Sequence, residues 1–198
     1  YVGQIKKMSG YNVTVSALFV RNDSTYKKIG IDCWDKERDA LKWTGGNPVI
    51  AHPPCRAWGQ LAHLAKPADG ERELSIWAIE RVRQWGGVLE HPHGSRLWKE
   101  IGLPMEKKKD KYGGFSMCVD QYWWGHRARK RTLLYICGCS PSDIPDLPLN
   151  FKHYTHTVGS SRKKSKLPEI SKKEREATPI GFAKWLIEVA KLCYKKSE

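Results

Sequence analysis

The sequence predicts an α/β protein: a single three-layer domain with a central, mainly parallel sheet, an antiparallel hairpin near one edge and a C-terminal helix. Three observations carry this expectation. Short apolar runs stop at polar, proline-containing loops: Val49-Ile50-Ala51 at His52-Pro53-Pro54-Cys55, and Val88-Leu89 at Glu90-His91-Pro92-His93. An amphipathic stretch over 71–85 separates those runs, which makes a βαβ unit with parallel strands. Finally, the apolar runs 115–124 and 132–136 flank Gly125-His126 and a basic tip, the pattern of a hairpin.

In chain order, residues 1–12 read as an N-terminal extension with Met8 a candidate native start, and 13–198 as the domain. Residues 13–20 predict the first strand, ending at Arg21-Asn22-Asp23-Ser24-Thr25-Tyr26. Ile29-Gly30-Ile31 predicts a second strand closing on Asp32, and the charged run 35–43 a short helix. The composition of 44–48 is that of a turn. Leu74, Trp77, Ala78, Arg81, Val82 and Trp85 recur at helical spacing, and Gly86-Gly87 ends that helix. Residues 107–112 form a charged excursion, and prolines punctuate the connection 141–148. Residues 157–170 read as a flexible basic loop. A helix starts near Thr178-Pro179, with Ile180, Ala183, Trp185, Leu186, Val189 and Leu192 as its apolar stripe.

Lys and Arg number 35 against 21 Asp and Glu, a formal charge of +14 over 198 residues. Such an excess favours a polyanionic partner, first of all nucleic acid. Nine Trp and eight Tyr strengthen this, because aromatic faces among cations suit unstacked bases. No apolar run approaches a membrane span, and residues 1–10 carry no apolar core of the signal-peptide kind. The expected location is therefore the cytoplasm, with the six cysteines as reduced thiols. Cys137-Gly-Cys139 is too sparse for a zinc site, and no metal is expected.

Pro53-Pro54-Cys55 after a strand resembles the nucleophile loop of DNA cytosine-5 methyltransferases. Val88-Leu89-Glu90 resembles the strand that carries their base-binding glutamate, and Arg129-Lys130-Arg131 resembles their R-x-R segment. The likeness spans roughly residues 48–136 and is that of small phage and prophage proteins with this core. It implies α/β architecture, a flipped base and, in the full family, S-adenosylmethionine. The chain departs from the pattern in four places. Arg21 to Tyr26 stand where a glycine-rich cofactor loop is expected, and side chains there bar close backbone approach. The segment before Pro53 is short, His91 replaces an asparagine, and the glutamine before the arginines is missing.

Three chemistries follow. Methyl transfer would use Cys55 as the thiolate attacking cytosine C6, Glu90 on the base, and Arg129 and Arg131 in support. Hydrolysis of the base–sugar bond needs no dissociable cofactor; it needs a carboxylate, donors for the leaving base and stacking surfaces. Asp23, Asp35 and Glu90 are its candidate carboxylates, and His52, His91 and His126 its imidazoles. Arg56 is a donor; Tyr26, Cys55, Trp58, Trp123 and Trp124 are the candidate base-pocket residues. A plain DNA-binding module would use Arg127, Arg129, Lys130 and Arg131 with Ser160, Ser161, Arg162, Lys163 and Lys164 on phosphates. The expectation is a cofactor-free, monomeric enzyme on double-stranded or locally opened DNA. It extrudes a cytosine-like base and hydrolyses the N-glycosidic bond, with Asp23, Glu90, His52 and His91 as catalytic candidates.

Overall fold

In chain order, the sheet and its helices begin with β1 (Ser16–Leu18), α1 (Thr25–Ile29), β2 (Asp32–Trp34) and β3 (Val49–Ala51). Next come α2 (Ala62–Ala65), α3 (Glu71–Trp85), β4 (Gly87–Pro92) and α4 (Leu97–Ile101). The hairpin β5 (Phe115–Asp120) and β6 (Arg131–Cys137) follows, then α5 (Lys172–Glu176) and α6 (Ile180–Leu192). This computed structural model describes residues 13–59, 62–105, 108–150, 153–159 and 166–195. The N-terminal extension and Ser160, Ser161, Arg162, Lys163 and Lys164 lie outside the described residues.

The six strands form one sheet in the order β2-β1-β3-β4-β6-β5. β1, β2, β3 and β4 are parallel; β6 runs antiparallel to both β4 and β5. Side-chain alternation divides the core into two layers. Ile50, Val88, Leu134 and Ile136 pack with Phe182, Leu186 and Val189 of α6. Val49, Ala51, Leu89, Leu133 and Tyr135 pack on the other face with Ile79 and Val82 of α3. The predicted three-layer α/β class is the architecture found. Among the described residues, no helix is long and apolar enough to cross a membrane.

Four local expectations are corrected. β4 does not stop at Leu89: pairing with Leu134, Leu133 and Thr132 of β6 carries it on through Glu90, His91 and Pro92. Residues 25–29 form a helix rather than leading into a strand at 29–31. The Ser24 side chain accepts the Tyr26 N–H, and Gly30 at φ 86° ends the turn in the left-handed region. The strand begins instead at Asp32. The charged run 35–43 is not a helix: the Asp35 carboxylate takes the N–H groups of Glu37 and Arg38 and pairs with Lys27. Only Ala40–Lys42 closes a 3₁₀ turn there. The strand from Phe115 stops at Asp120, whose side chain caps a 3₁₀ turn over Gln121–Trp124. In the basic loop, the two described flanks are tied together, Thr157 N–H to the Pro168 carbonyl and Ile170 N–H to that of Thr157.

All six cysteines are free thiols, and two of them meet: Cys193 Sγ donates to Cys139 Sγ at 3.3 Å. That contact lowers the Cys139 pKa, so Cys139 ionises before its partner. Oxidation with diamide is expected to join the pair, read by intact mass as the loss of two hydrogens and blocked by Cys139→Ser. Closing this 54-residue separation would stabilise the fold by up to about 4 kcal/mol on chain-entropy grounds.

Candidate active site

The carboxyl ends of β1, β3 and β4 lie side by side, and the chain reverses direction of travel across the sheet between β1 and β3. Open α/β sheets bind ligands at this place. Here they enclose a cavity of about 1230 Å³. Its floor comes from the His52–Cys55 loop, Glu90 and His91. One wall is the start of β6, and the other is the 172–178 segment, which crosses over from α5. Thr25 Oγ1 donates to the Thr178 carbonyl at 2.7 Å, and Lys130 Nζ to that of Ala177 at 3.2 Å, which hold this segment in place. Nine Lys or Arg side chains line the cavity against three carboxylates.

A hydrogen-bonded chain runs along the floor. Tyr26 Oη meets His52 Nε2 at 2.9 Å, His52 Nδ1 meets Glu90 Oε2 at 3.0 Å, and Gln121 Nε2 meets Glu90 Oε1 at 3.3 Å. Gln121 is anchored in turn on Thr132 Oγ1 at 3.0 Å. Both ring nitrogens of His52 are thereby engaged, with Nδ1–H donating to Glu90 and Nε2 paired with the Tyr26 hydroxyl. Parallel pairing of β3 and β4 brings His52 and Glu90 together across 38 residues, each one position beyond a paired residue.

Burial opposes ionisation of Glu90. The His52 hydrogen bond and the positive field of His52 and Lys130 outweigh it, and the carboxyl falls to about 2. Glu90 is therefore a carboxylate with side-chain exposure of only 14%. Burial raises Tyr26 well above the ordinary phenol value, with Glu90 adding to the effect, so it stays neutral. Lys130 lines the same cavity, and desolvation lowers its pKa while Glu90 opposes the shift.

The other residues that bear on the site divide into three groups, the first of them expected residues that reach the cavity. His91 reaches the cavity, but burial lowers it to about 4, so it is neutral at pH 7. Its Nδ1 bonds Ser95 Oγ at 2.8 Å and it interacts with the backbone of Pro53 and Pro54, a brace between β4 and the proline loop. Cys55 faces the cavity, where desolvation and the Glu90 charge raise its thiol pKa. Arg56 stands at the mouth, paired with buried Glu71 at 2.6 Å. Asp23 lies on the rim, half exposed and held by Arg21 at 2.8 Å. Arg129 and Arg131 line the wall, bonded to Asp120 and His93.

A second group lies elsewhere. Trp58 is fully buried in the α3-side core, so it offers no face to a base in this arrangement. Trp123 and Trp124 do not line the main cavity; Trp124 packs on Phe182 and Trp185. Arg127 is bidentate to Glu174. Asp35 is buried against Lys27, and buried His126 bonds the Ala128 carbonyl. The third group is what sequence reasoning missed: Gln121, Thr132 and the 172–178 wall. Gln121 had one available signal, since Asp120 before it is a capping residue that turns the chain inward.

Among the described residues, no three His, Cys, Asp or Glu side chains gather as metal ligands. The loop after β1 does not suit S-adenosylmethionine. Arg21 bonds Asp23 at 2.8 Å and Glu176 at 2.6 Å there, so charged side chains fill the place a glycine-rich cradle would leave open. No protein-family model and no curated protein matches the chain.

Proposed function

We propose that this protein is a DNA base-acting hydrolase of the glycosylase type. One observation carries the reading: an ionised, nearly buried carboxylate, Glu90, sits at the floor of a cavity whose walls are strongly cationic. Phosphates meet the walls; an extruded base and its sugar reach the floor. The bond that breaks is the glycosidic C1′–N bond. Glu90 stabilises the positive charge that develops on the sugar and takes a proton from the water that adds to C1′. The base leaves with the bonding electron pair and, in net balance, that proton. His52 and Gln121 hold both carboxylate oxygens in position, and Tyr26 holds His52.

Cytosine or a modified cytosine is the proposed base, from the resemblance of Pro53-Pro54-Cys55 and Glu90, and phage–host conflict is the proposed setting. The test is incubation with duplexes carrying unmodified, methylated, hydroxymethylated or glucosylated cytosine, with and without S-adenosylmethionine. Released base and alkali-labile breaks in one of these support the reading. Transfer of a labelled methyl group replaces it with methyl transfer, which the exposure of Cys55 to the same cavity favours. Tight binding with no change in any duplex reduces the protein to a DNA-binding module.

Arg131 is exposed and its guanidinium meets His93 rather than a carboxylate. Arg131→Ala is expected to lower the salt slope of DNA binding by about one unit. Arg127→Ala should change it less, because Glu174 already neutralises that side chain. Fluorescence anisotropy across a salt series checks both.

A further inference from the structure

A second cavity, of about 490 Å³, lies beside the first. Tyr122, Trp123 and Tyr154 line it with Asp120, and Arg129 and Arg131 line both cavities. Arg131 opens β6 and Arg129 lies two residues before it, and both side chains line the two cavities. Neither is loose: Asp120 holds the Arg129 guanidinium at 3.1 Å and His93 meets that of Arg131 at 3.0 Å.

The aromatic lining is likewise anchored. Trp123 packs on Trp124 at 5.9 Å, and Trp124 on Phe182 and Trp185 of α6. Tyr122 meets Tyr154 edge to face at 6.2 Å. Tyr154 is nevertheless 40% exposed. Rings fixed from behind and open in front, next to two positioned guanidiniums, are the elements of a single-strand stacking site. One base with its sugar is of the scale that such a small pocket holds.

We infer that the second cavity seats the nucleotide neighbouring the extruded one on the same strand. Its base stacks on Trp123 and Tyr154, and the phosphate between the two nucleotides spans Arg129 and Arg131. This rests on the base-acting reading and extends it to sequence context: the site reads the flanking base through stacking, and a purine, with the larger face, is preferred there.

The test uses short fluorescent single-stranded oligonucleotides that carry an abasic residue on the 5′ or the 3′ side of the target cytosine. Wild-type protein is expected to bind one of these, and only one, roughly 5- to 150-fold more weakly than the intact strand, the range for losing one stacked base. Trp123→Ala and Tyr154→Ala should weaken binding of the intact strand within that range. They should then show no further loss on the abasic strand, because the two changes remove one interaction. Trp123→Phe keeps a stacking face and should retain most of the affinity, which separates stacking from a folding defect. Binding that ignores both abasic positions overturns the inference and leaves the base-acting reading standing. Failure of the wild-type protein to bind any of these single strands also overturns the inference, while the base-acting reading stands or falls on the duplex assay. Equal losses on abasic and intact strands in the variants assign the aromatic residues to folding and also overturn the inference.

Discussion

Glu90→Gln is expected to slow base release about 10²- to 10⁴-fold, the range for removing a positioned acid–base group. Affinity for DNA should stay nearly unchanged, because the phosphate-facing cations are untouched. Glutamine keeps the side chain's shape and its single amide oxygen can still accept from His52, but its NH2 faces the Gln121 donor, and it cannot hold negative charge against the sugar or take a proton from water. Released base under single-turnover conditions, measured beside anisotropy, separates the two effects. Equal activity in the variant would remove Glu90 from the chemistry. The same substitution has a stability signature. The native Glu90 carboxyl lies at about 2 against an ordinary 4.5, so the unfolded chain binds the proton more readily. Stability from this group is fully present above pH 4.5 and is lost as pH falls through about 2. The shift corresponds to about 3 kcal/mol. Wild-type thermal stability should therefore fall more steeply between pH 5 and pH 2 than that of Glu90→Gln.

Gly87→Ala is expected to abolish the fold or weaken it by about 4 kcal/mol or more. Gly87 opens β4 opposite Val49 at a φ of +124°, and an added Cβ would lie 2.0 Å from the Val49 carbonyl oxygen. Both partners are backbone in adjacent strands, so neither can turn away. Relief would require β4 to shift, and that strand carries Glu90 three residues later. Gly30→Ala is the comparison: it has a φ of +86° and nothing within 4 Å, leaving only left-handed strain of about 1–2 kcal/mol. Urea unfolding of the two variants should differ accordingly. Similar midpoints would mean that β3 and β4 are not packed as closely as described.

Where local pattern and final structure agree, the reason is that one physical signal dominates. The helix over 71–85 has an apolar stripe and a glycine stop, and α3 takes those bounds. Val49-Ile50-Ala51 is apolar on both faces and is buried on both. Ile29-Gly30-Ile31 misleads because two β-branched residues outweigh, in a short window, a serine cap and a left-handed glycine. Trp58 misleads differently: an indole in a polar loop has the same composition whether it faces a cavity or the core.

From sequence alone come the stop of β3 at a polar loop, and the β-α-β order that sets Ala51 and Leu89 side by side. That is enough to bring His52 and Glu90 to one edge, since each follows directly on the paired positions Ala51 and Leu89. Only the tertiary structure decides which of those polar groups is buried, charged and partnered. Asp23 and Glu90 are both carboxylates that follow an apolar run in the sequence, Asp23 in the loop after β1 and Glu90 within β4. One is neutralised by Arg21 on the rim, while the other is held ionised by His52 and Gln121, with Lys130 adding its field. Their difference lies in hydrogen bonds and desolvation supplied by elements remote in the chain, and these have no local pattern to read.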